Sequence, residues 1–454
     1  MKRAYIRNIL TVILIAAGLL SGCNVQIDPL PTVVEDTAAP TGQTESGQTE
    51  SKRAGTEIPV KQSVTGSGTE KETVSEQPEQ EKEETSFSEE KAVSGSSENS
   101  EDSRKTIGLT KSGMSALGQA QNGNYYYELC DENQKVTYLE IYQTLLKQAE
   151  NIRLTTIDSD SLSRIYQCVI NDHPELFYLG GYTYTKHTVN NEVKYLTFTG
   201  KYLYSETEVA QRRQQIEKAA SSALAGIQAG ADQYSISKYL YEYLILHTEY
   251  GTQSTDNQNI YSVFMDHVSV CNGYAKAAQY LFDKEGIPCI LVNGTAGGGR
   301  HAWNIVKLDG AYYQFDTTWG DPSYYADSGT KKTPDIDYDY LNLTTDQITM
   351  NHEIDETFPV PACTTQQDNY FVREGLYFSS FDEKAVSEVF KQADAKGEKV
   401  ISIQASGKDV YDQLYNHLIT KQKIFDYYKG VSSKGNYSVA YTSNDTLFTL
   451  SFWK

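Results

Sequence analysis

Residues 24–105 hold 18 Asp and Glu against 8 Lys and Arg, with one aromatic residue, Phe87. Such a stretch cannot bury enough apolar surface to offset the roughly 1–2 kcal/mol per residue that backbone ordering costs, so it reads as a disordered acidic linker. It carries a net charge of −10, half of the chain's −20, and confines the folded part to 106–454. That remainder is rich in tyrosine and still acidic. Nucleic acid is excluded as a partner, because neutralising phosphates takes clustered Lys and Arg.

Residues 1–23 read as an address. Lys2, Arg3 and Arg7 precede the apolar run Ile9 to Leu20, the charged and apolar regions of an export signal that is too short to span a membrane permanently. Leu20-Ser21-Gly22-Cys23 resembles the lipobox of bacterial lipoproteins. The resemblance implies cleavage before Cys23, lipidation of that residue, and an exported protein anchored on the outer face of the membrane. A flexible linker of this length would reach on the order of 50 Å from the lipid.

From Tyr125 the pattern turns helical, with Tyr138, Tyr142, Leu145, Ala149 and Ile152 at steps of four and three. A second helix carries Leu162, Ile165 and Val169 and stops before His173-Pro174. Runs at 177–184 and 194–204 read as strands joined at Asn190-Asn191, and Ser205 with Glu208 opens a long helix. Another helix carries Ile236, Leu240, Tyr243 and His247.

Gln258 to Asp321 carries the chemistry. Cys271 precedes Asn272-Gly273 and a helical pattern at Ala275, Ala278 and Phe282, which puts it at a helix start. Unpaired N–H groups and the positive end of the macrodipole there favour a thiolate, the nucleophilic form of cysteine. Cys289 to Val292 reads as a buried strand, and Asn293 to Arg300 as a glycine-rich loop free to flex around a substrate before His301-Ala302-Trp303. If Asp309-Gly310 is a two-residue hairpin turn, Leu308 faces Ala311, Trp303 faces Asp316 and His301 faces Thr318. Alternation then puts His301, Trp303, Asp316 and Thr318 on one face, with His301 and Asp316 diagonal neighbours. A base and its orienting carboxylate require that arrangement.

The order Val270-Cys271-Asn272-Gly273-Tyr274-Ala275, then His301-Ala302-Trp303-Asn304-Ile305-Val306, then Asp316-Thr317-Thr318-Trp319, resembles the transglutaminase-like superfamily of papain-fold thiol enzymes. It is most similar to the surface lipoprotein members of Gram-positive bacteria. Asp172-His173-Pro174-Glu175-Leu176-Phe177-Tyr178 and Tyr340-Leu341-Asn342-Leu343-Thr344 with His352 extend the likeness over roughly 120–363. The resemblance implies an α+β fold: a papain-like core with a helical N-terminal part over 106–363. It also implies a triad of Cys271, His301 and Asp316 that transfers the acyl group of a peptide or protein amide to water or an amine, with no cofactor and no metal. The family often has Glu or Gln where Asn272 stands.

An oxyanion hole needs a second donor beside the Cys271 N–H, and Gln258, ahead of Tyr261, is the preferred candidate. Trp303 and Trp319 read as core or cleft wall. Cys168 and Cys289 read as buried free thiols, export would let Cys130 or Cys363 pair, and His247, His267 and His352 read as structural or surface groups. Asp335, Asp337 and Asp339 have the spacing of a calcium loop, but Tyr340 stands where glycine is needed and Asp346 replaces the bidentate glutamate. Gly297 to Gly299 lack the Lys-Ser/Thr of a phosphate loop. Residues 366–454 read as a small α+β domain with no chemical cluster. The rival to an enzyme is a non-catalytic surface module whose cleft binds peptide or glycan. A pure binder has no reason to keep a thiol–imidazole–carboxylate set.

Overall fold

The computed structural model describes residues 100–189, 192–322, 334–428, 431–433 and 436–453, with short strand segments at 32–35, 70–74 and 85–86. The signal segment, Cys23, most of the linker and the Asn190-Asn191 turn lie outside the described residues. Within 24–105, read from composition as disordered, Thr32–Glu35 and Glu70–Val74 pair as strands with the folded part. Both are short β-branched or charged runs added to a sheet edge. The helix Ser100–Thr106 also begins inside that stretch, and Arg104 reaches the buried carboxylate of Glu140 at 3.1 Å.

The fold is α+β, built around two cores. In the first, the helix Cys271–Lys284 lies across the strands Cys289–Ala296 and Gly299–Leu308. Its residues from Gly273 to Phe282 are all buried, so it is a central helix covered all round rather than an amphipathic surface one. The antiparallel sheet beneath it runs Leu341–Leu343, Ala311–Phe315, Gly299–Leu308, Cys289–Ala296, His352–Ile354. The Asp309-Gly310 turn sets the predicted register, with Leu308 opposite Ala311 and Asn304 opposite Phe315. Further helices, Glu132–Leu146, Ser159–Asp172, Glu206–Leu224 and Gln233–His247, and the long hairpin Leu179–Val189/Glu192–Tyr202 surround the core.

The tyrosines serve this interior because each buries a ring and lets its hydroxyl find a partner. Tyr138 donates to Asp172 Oδ2 at 2.9 Å, Tyr274 to Asp321 Oδ2 at 2.7 Å, and Tyr241 to the Asp337 carbonyl at 2.6 Å. Asp172 also accepts the backbone N–H groups of Tyr126 (3.0 Å) and Tyr127 (2.8 Å), docking the short helix Tyr125–Glu128. His173 Nδ1 bonds Glu175 at 2.8 Å and stacks on Tyr142 with centroids 3.8 Å apart. The Asp172-to-Glu175 motif is thus a structural bracket. It sits toward the C-terminal end of the central helix, where Gln279 Nε2 donates to the Asn171 carbonyl at 2.8 Å.

The C-terminal domain has its own core of Phe378, Val386, Phe390, Ile403, Leu414 and Phe452. Its sheet joins Asn436–Asn444, Thr449–Trp453, Val400–Ala405 and Tyr377–Phe378, with the helices Glu383–Lys396 and Lys408–Tyr415 packed against it. Residues 366–374, assigned to this domain from sequence, belong physically with the first core. Tyr370 stacks on Tyr338 at 3.9 Å, and Asn342 Nδ2 donates to the Asp368 carbonyl at 2.9 Å. The second domain touches the first through its Asn444–Phe448 turn, whose Leu447 is buried with Trp319 and Tyr340.

Candidate active site

Cys271 is the first residue of the central helix, and it is partly exposed, whereas Cys130, Cys168, Cys289 and Cys363 are buried. All five are free thiols. The helix start is held by the segment in front of it: Val270 N–H donates to the Asn257 carbonyl at 3.2 Å, and Asn272 Nδ2 to the Gln258 carbonyl at 3.0 Å. Gly273 is needed there, because a Cβ would lie 3.0 Å from Asn257 O and 3.1 Å from Asn259 O. The Cys-Asn-Gly sequence is therefore a steric fitting that brings Gln258 beside the thiol's helix.

His301 reaches the site from Gly299–Leu308. Its Nε2 lies 2.8 Å from Asp316 Oδ2, and Cys271 is near enough to act on the same imidazole. With Nε2 engaged by the carboxylate, Nδ1 is the nitrogen left for the thiol. Burial works against the imidazolium, but the charge and hydrogen bond of Asp316, and Cys271 beside it, lift His301 to about 10. Burial opposes the Asp316 charge as well, and His301 and His352 together outweigh it, holding the carboxyl well below the usual range. Its other oxygen, Oδ1, accepts the backbone N–H groups of Thr318 (2.9 Å) and Trp319 (3.1 Å).

The rings around this pair are packed as core. Trp303 is buried, not an open cleft wall. It stacks 5.6 Å from His301, interplanar angle 15°, and donates Nε1–H to Gln314 Oε1 at 2.7 Å. It supports the imidazole from within the core. Trp319 stands edge-on to His301 at 6.4 Å. Asn293 to Arg300 is not a flexing loop either. Thr295 pairs with Arg300 and Gly294 with His301, leaving only the turn Gly297-Gly298, both at positive φ. Two adjacent glycines close a tight hairpin and let both strands run to its end.

Tyr261 is occupied elsewhere, its hydroxyl 3.1 Å from Gln215 and its ring under Arg212. Gln258 meets the helix start through its backbone carbonyl, which accepts from Asn272 Nδ2. His247 and His267 are exposed and bond backbone carbonyls, in line with a structural or surface reading. His352, quoted in the family likeness but read as a structural or surface group, joins the site, its Nε2 3.1 Å from Asp316 Oδ2. Only the sheet's far edge brings it there, and no local motif announces it. His301, Asp316 and His352 offer ligand atoms within 4.8 Å of one another, the grouping among the described residues that comes nearest to a metal set. Those atoms are already hydrogen-bonded to each other, and a cation would have to break both imidazole–carboxylate contacts to enter. Asp337 and Asp339 are no calcium loop: Asp337 Oδ1 accepts the Asp339 N–H at 2.9 Å, and Asp339 Oδ2 the Asn444 amide at 2.7 Å.

Residues 221–317, which contain Cys271, His301 and Asp316, match the model of the transglutaminase-like superfamily. The chain therefore carries a transglutaminase-like domain. Among solved structures it resembles a TGase (16% identity, 34% of this chain and 47% of that one, TM-score 0.23). It also resembles a candidate cysteine protease from Cytophaga hutchinsonii (14% identity, 30% and 61%, TM-score 0.21). A third is a candidate protease from Parabacteroides distasonis (9% identity, 28% and 29%, TM-score 0.19). The chain spans less than two thirds of each of these proteins, and overlaps so partial say nothing of activity. No curated protein matches.

Proposed function

We propose that the protein is a thiol acyl-transfer enzyme acting on peptide or protein amides. The supporting observation is Cys271 at the start of the central helix beside His301, whose Nε2 lies 2.8 Å from Asp316 Oδ2. In this reading His301 takes the Cys271 proton, the sulfur attacks the amide carbonyl carbon, and the negative charge passes to the carbonyl oxygen. The Cys271 backbone N–H and Gln258 donate to that oxygen, the place where fixed donors contribute most. The tetrahedral intermediate collapses, the C–N bond breaks, and His301 gives its proton to the departing nitrogen, leaving a thioester. Water or an amine then attacks the thioester while His301 takes the incoming proton, and the thiol returns. Asp316 keeps the imidazole in the tautomer this cycle needs.

Lipidation at Cys23 and export complete the proposal, placing the enzyme outside the cell on its acidic tether, where peptide and surface protein are the available amides. The reading is tested by offering glutamine peptides with a fluorescent amine, then following amine incorporation, ammonia release and backbone cleavage. Turnover abolished by Cys271→Ala supports it and names the acceptor. Turnover that survives Cys271→Ala refutes it, and peptide or glycan binding without turnover would favour the non-catalytic module.

A further inference from the structure

Resting on that reading, a fourth side chain addresses the same carboxylate. His352 Nε2 lies 3.1 Å from Asp316 Oδ2, the oxygen that His301 Nε2 meets at 2.8 Å. The His352 side chain is wholly buried, with ring centroids 4.6 Å from Trp319, 5.2 Å from Trp303 and 5.9 Å from Tyr340. An apolar side chain would fill this aromatic box without the cost of dehydrating two ring nitrogens. What an imidazole adds is an N–H aimed at the carboxylate. Its Nδ1 lies 2.6 Å from Asn351 Oδ1, and Asn351 Nδ2 donates to the Tyr340 hydroxyl at 2.9 Å, so the ring is held at both nitrogens, each facing an oxygen acceptor.

The sheet register explains the convergence. His352 pairs with Ala296 on one side of Cys289–Ala296, and His301 pairs with Gly294 on the other. Ala296 and Gly294 are two apart, so the two histidines emerge on one face. A Cβ on Gly294 would come within 2.7 Å of the Trp303 ring, so its absence lets the rings close over the carboxylate.

We propose that His352 is a positioning residue. It donates Nε2–H to Asp316, keeps Oδ2 aimed at His301, and so keeps His301 Nδ1 toward Cys271. The titratable groups facing it are Asp316 and His301, with Cys271 beyond His301, and Tyr340 backed by Asp337 and Asp339 on the other side. Burial lowers His352 below its ordinary value, against the pull of Asp316, while the oxygens at its two nitrogens favour a proton on each; the role given to it needs only the one on Nε2.

The test compares wild type with His352→Phe and His352→Gln by the rate of Cys271 alkylation from pH 5 to 9. This profile reads the thiol–imidazole pair whether or not an amide is turned over, so the acyl-transfer reading can fail without deciding this one. His352→Phe is expected to lower the rate at pH 6 on the order of 10-fold, the size typical of a supporting hydrogen-bond partner, and to move the profile. His352→Gln, which can still donate, restores most of it. A folded His352→Phe with the wild-type rate and profile overturns the proposal. Should that variant not fold, imidazole nitrogen NMR on the wild type decides: a His352 protonated at Nε2 and in slow exchange supports the role, and an Nε2 without a proton overturns it.

Discussion

Replacing Asp316 by Asn changes one atom and should disable the site without unfolding it. The carboxylate accepts four N–H groups, from Thr318 and Trp319 at one oxygen and from His301 and His352 at the other. The Asn carbonyl can serve the two backbone donors, which leaves an amide NH2 facing two imidazole nitrogens that were both donating. His301 must then accept at Nε2 and carry its proton on Nδ1, against the thiol, where it cannot take the thiol proton. The same tautomer error in other triads costs about 10⁴-fold in turnover. Two charge-assisted hydrogen bonds disappear, at roughly 1.5–3 kcal/mol each, but so does the cost of burying a charge, so the net loss of stability is smaller than their sum. The assay is amide turnover beside a melting curve and a near-UV spectrum. His301 is raised to about 10 by its partner, so its stabilisation is complete below the ordinary value near 6.5 and is lost as pH rises from there through 10. Wild type should therefore lose stability across that interval, and Asp316→Asn should lose the slope. A folded Asp316→Asn with near wild-type turnover would refute the role given to the carboxylate.

Gln258→Ala should lower kcat by roughly 10²-fold with little change in KM, as expected of an oxyanion donor, and an unchanged kcat removes Gln258 from the site. Asp172→Ala orphans the Tyr126 and Tyr127 N–H groups and the Tyr138 hydroxyl, and should cost about 3 kcal/mol or more in chemical unfolding; a loss below about 1 kcal/mol would contradict the bracket role. Asp339 is pushed up to about 6, chiefly by burial, so its native form binds the proton more tightly than the unfolded chain and its contribution fades as pH rises from the usual 3.8 through 6. Asp339→Asn should accordingly raise the melting temperature at pH 8 and leave it nearly unchanged at pH 4; a drop at pH 8 would show that the buried carboxylate is net stabilising.

What was legible in the sequence was local. The Asp309-Gly310 turn fixes a register by counting, so the His301–Asp316 contact follows from residues 15 apart. The helix start at Cys271 is marked by its own apolar spacing and by Gly273. His352 is different: it joins the same carboxylate from a three-residue edge strand after an irregular stretch, and nothing short in the sequence encodes which strand forms that edge. The glycines before His301 misled for a related reason. Gly-rich composition signals conformational freedom, yet here Gly294 serves close packing and Gly297-Gly298 a tight turn. Residues 366–374 read with the second domain but pack on the first core, because Tyr370 and Asp368 are held by contacts with Tyr338 and Asn342 that no local pattern shows.

The most direct test of a thiol activated by His301 is site-resolved alkylation. Native protein is treated with iodoacetamide at pH 6, quenched and mapped by mass spectrometry, beside His301→Ala. Cys289 and Cys363 are buried with their thiols pushed up, the latter to about 12, Cys168 is raised by its hydrogen bond to Cys130 and by burial, and Cys130, lowered by that same hydrogen bond, is buried away from the reagent. Labelling should therefore concentrate on Cys271 and lose that preference in His301→Ala. Equal labelling of all the thiols in the folded wild type, or a preference for Cys271 that survives the loss of His301, would contradict the account.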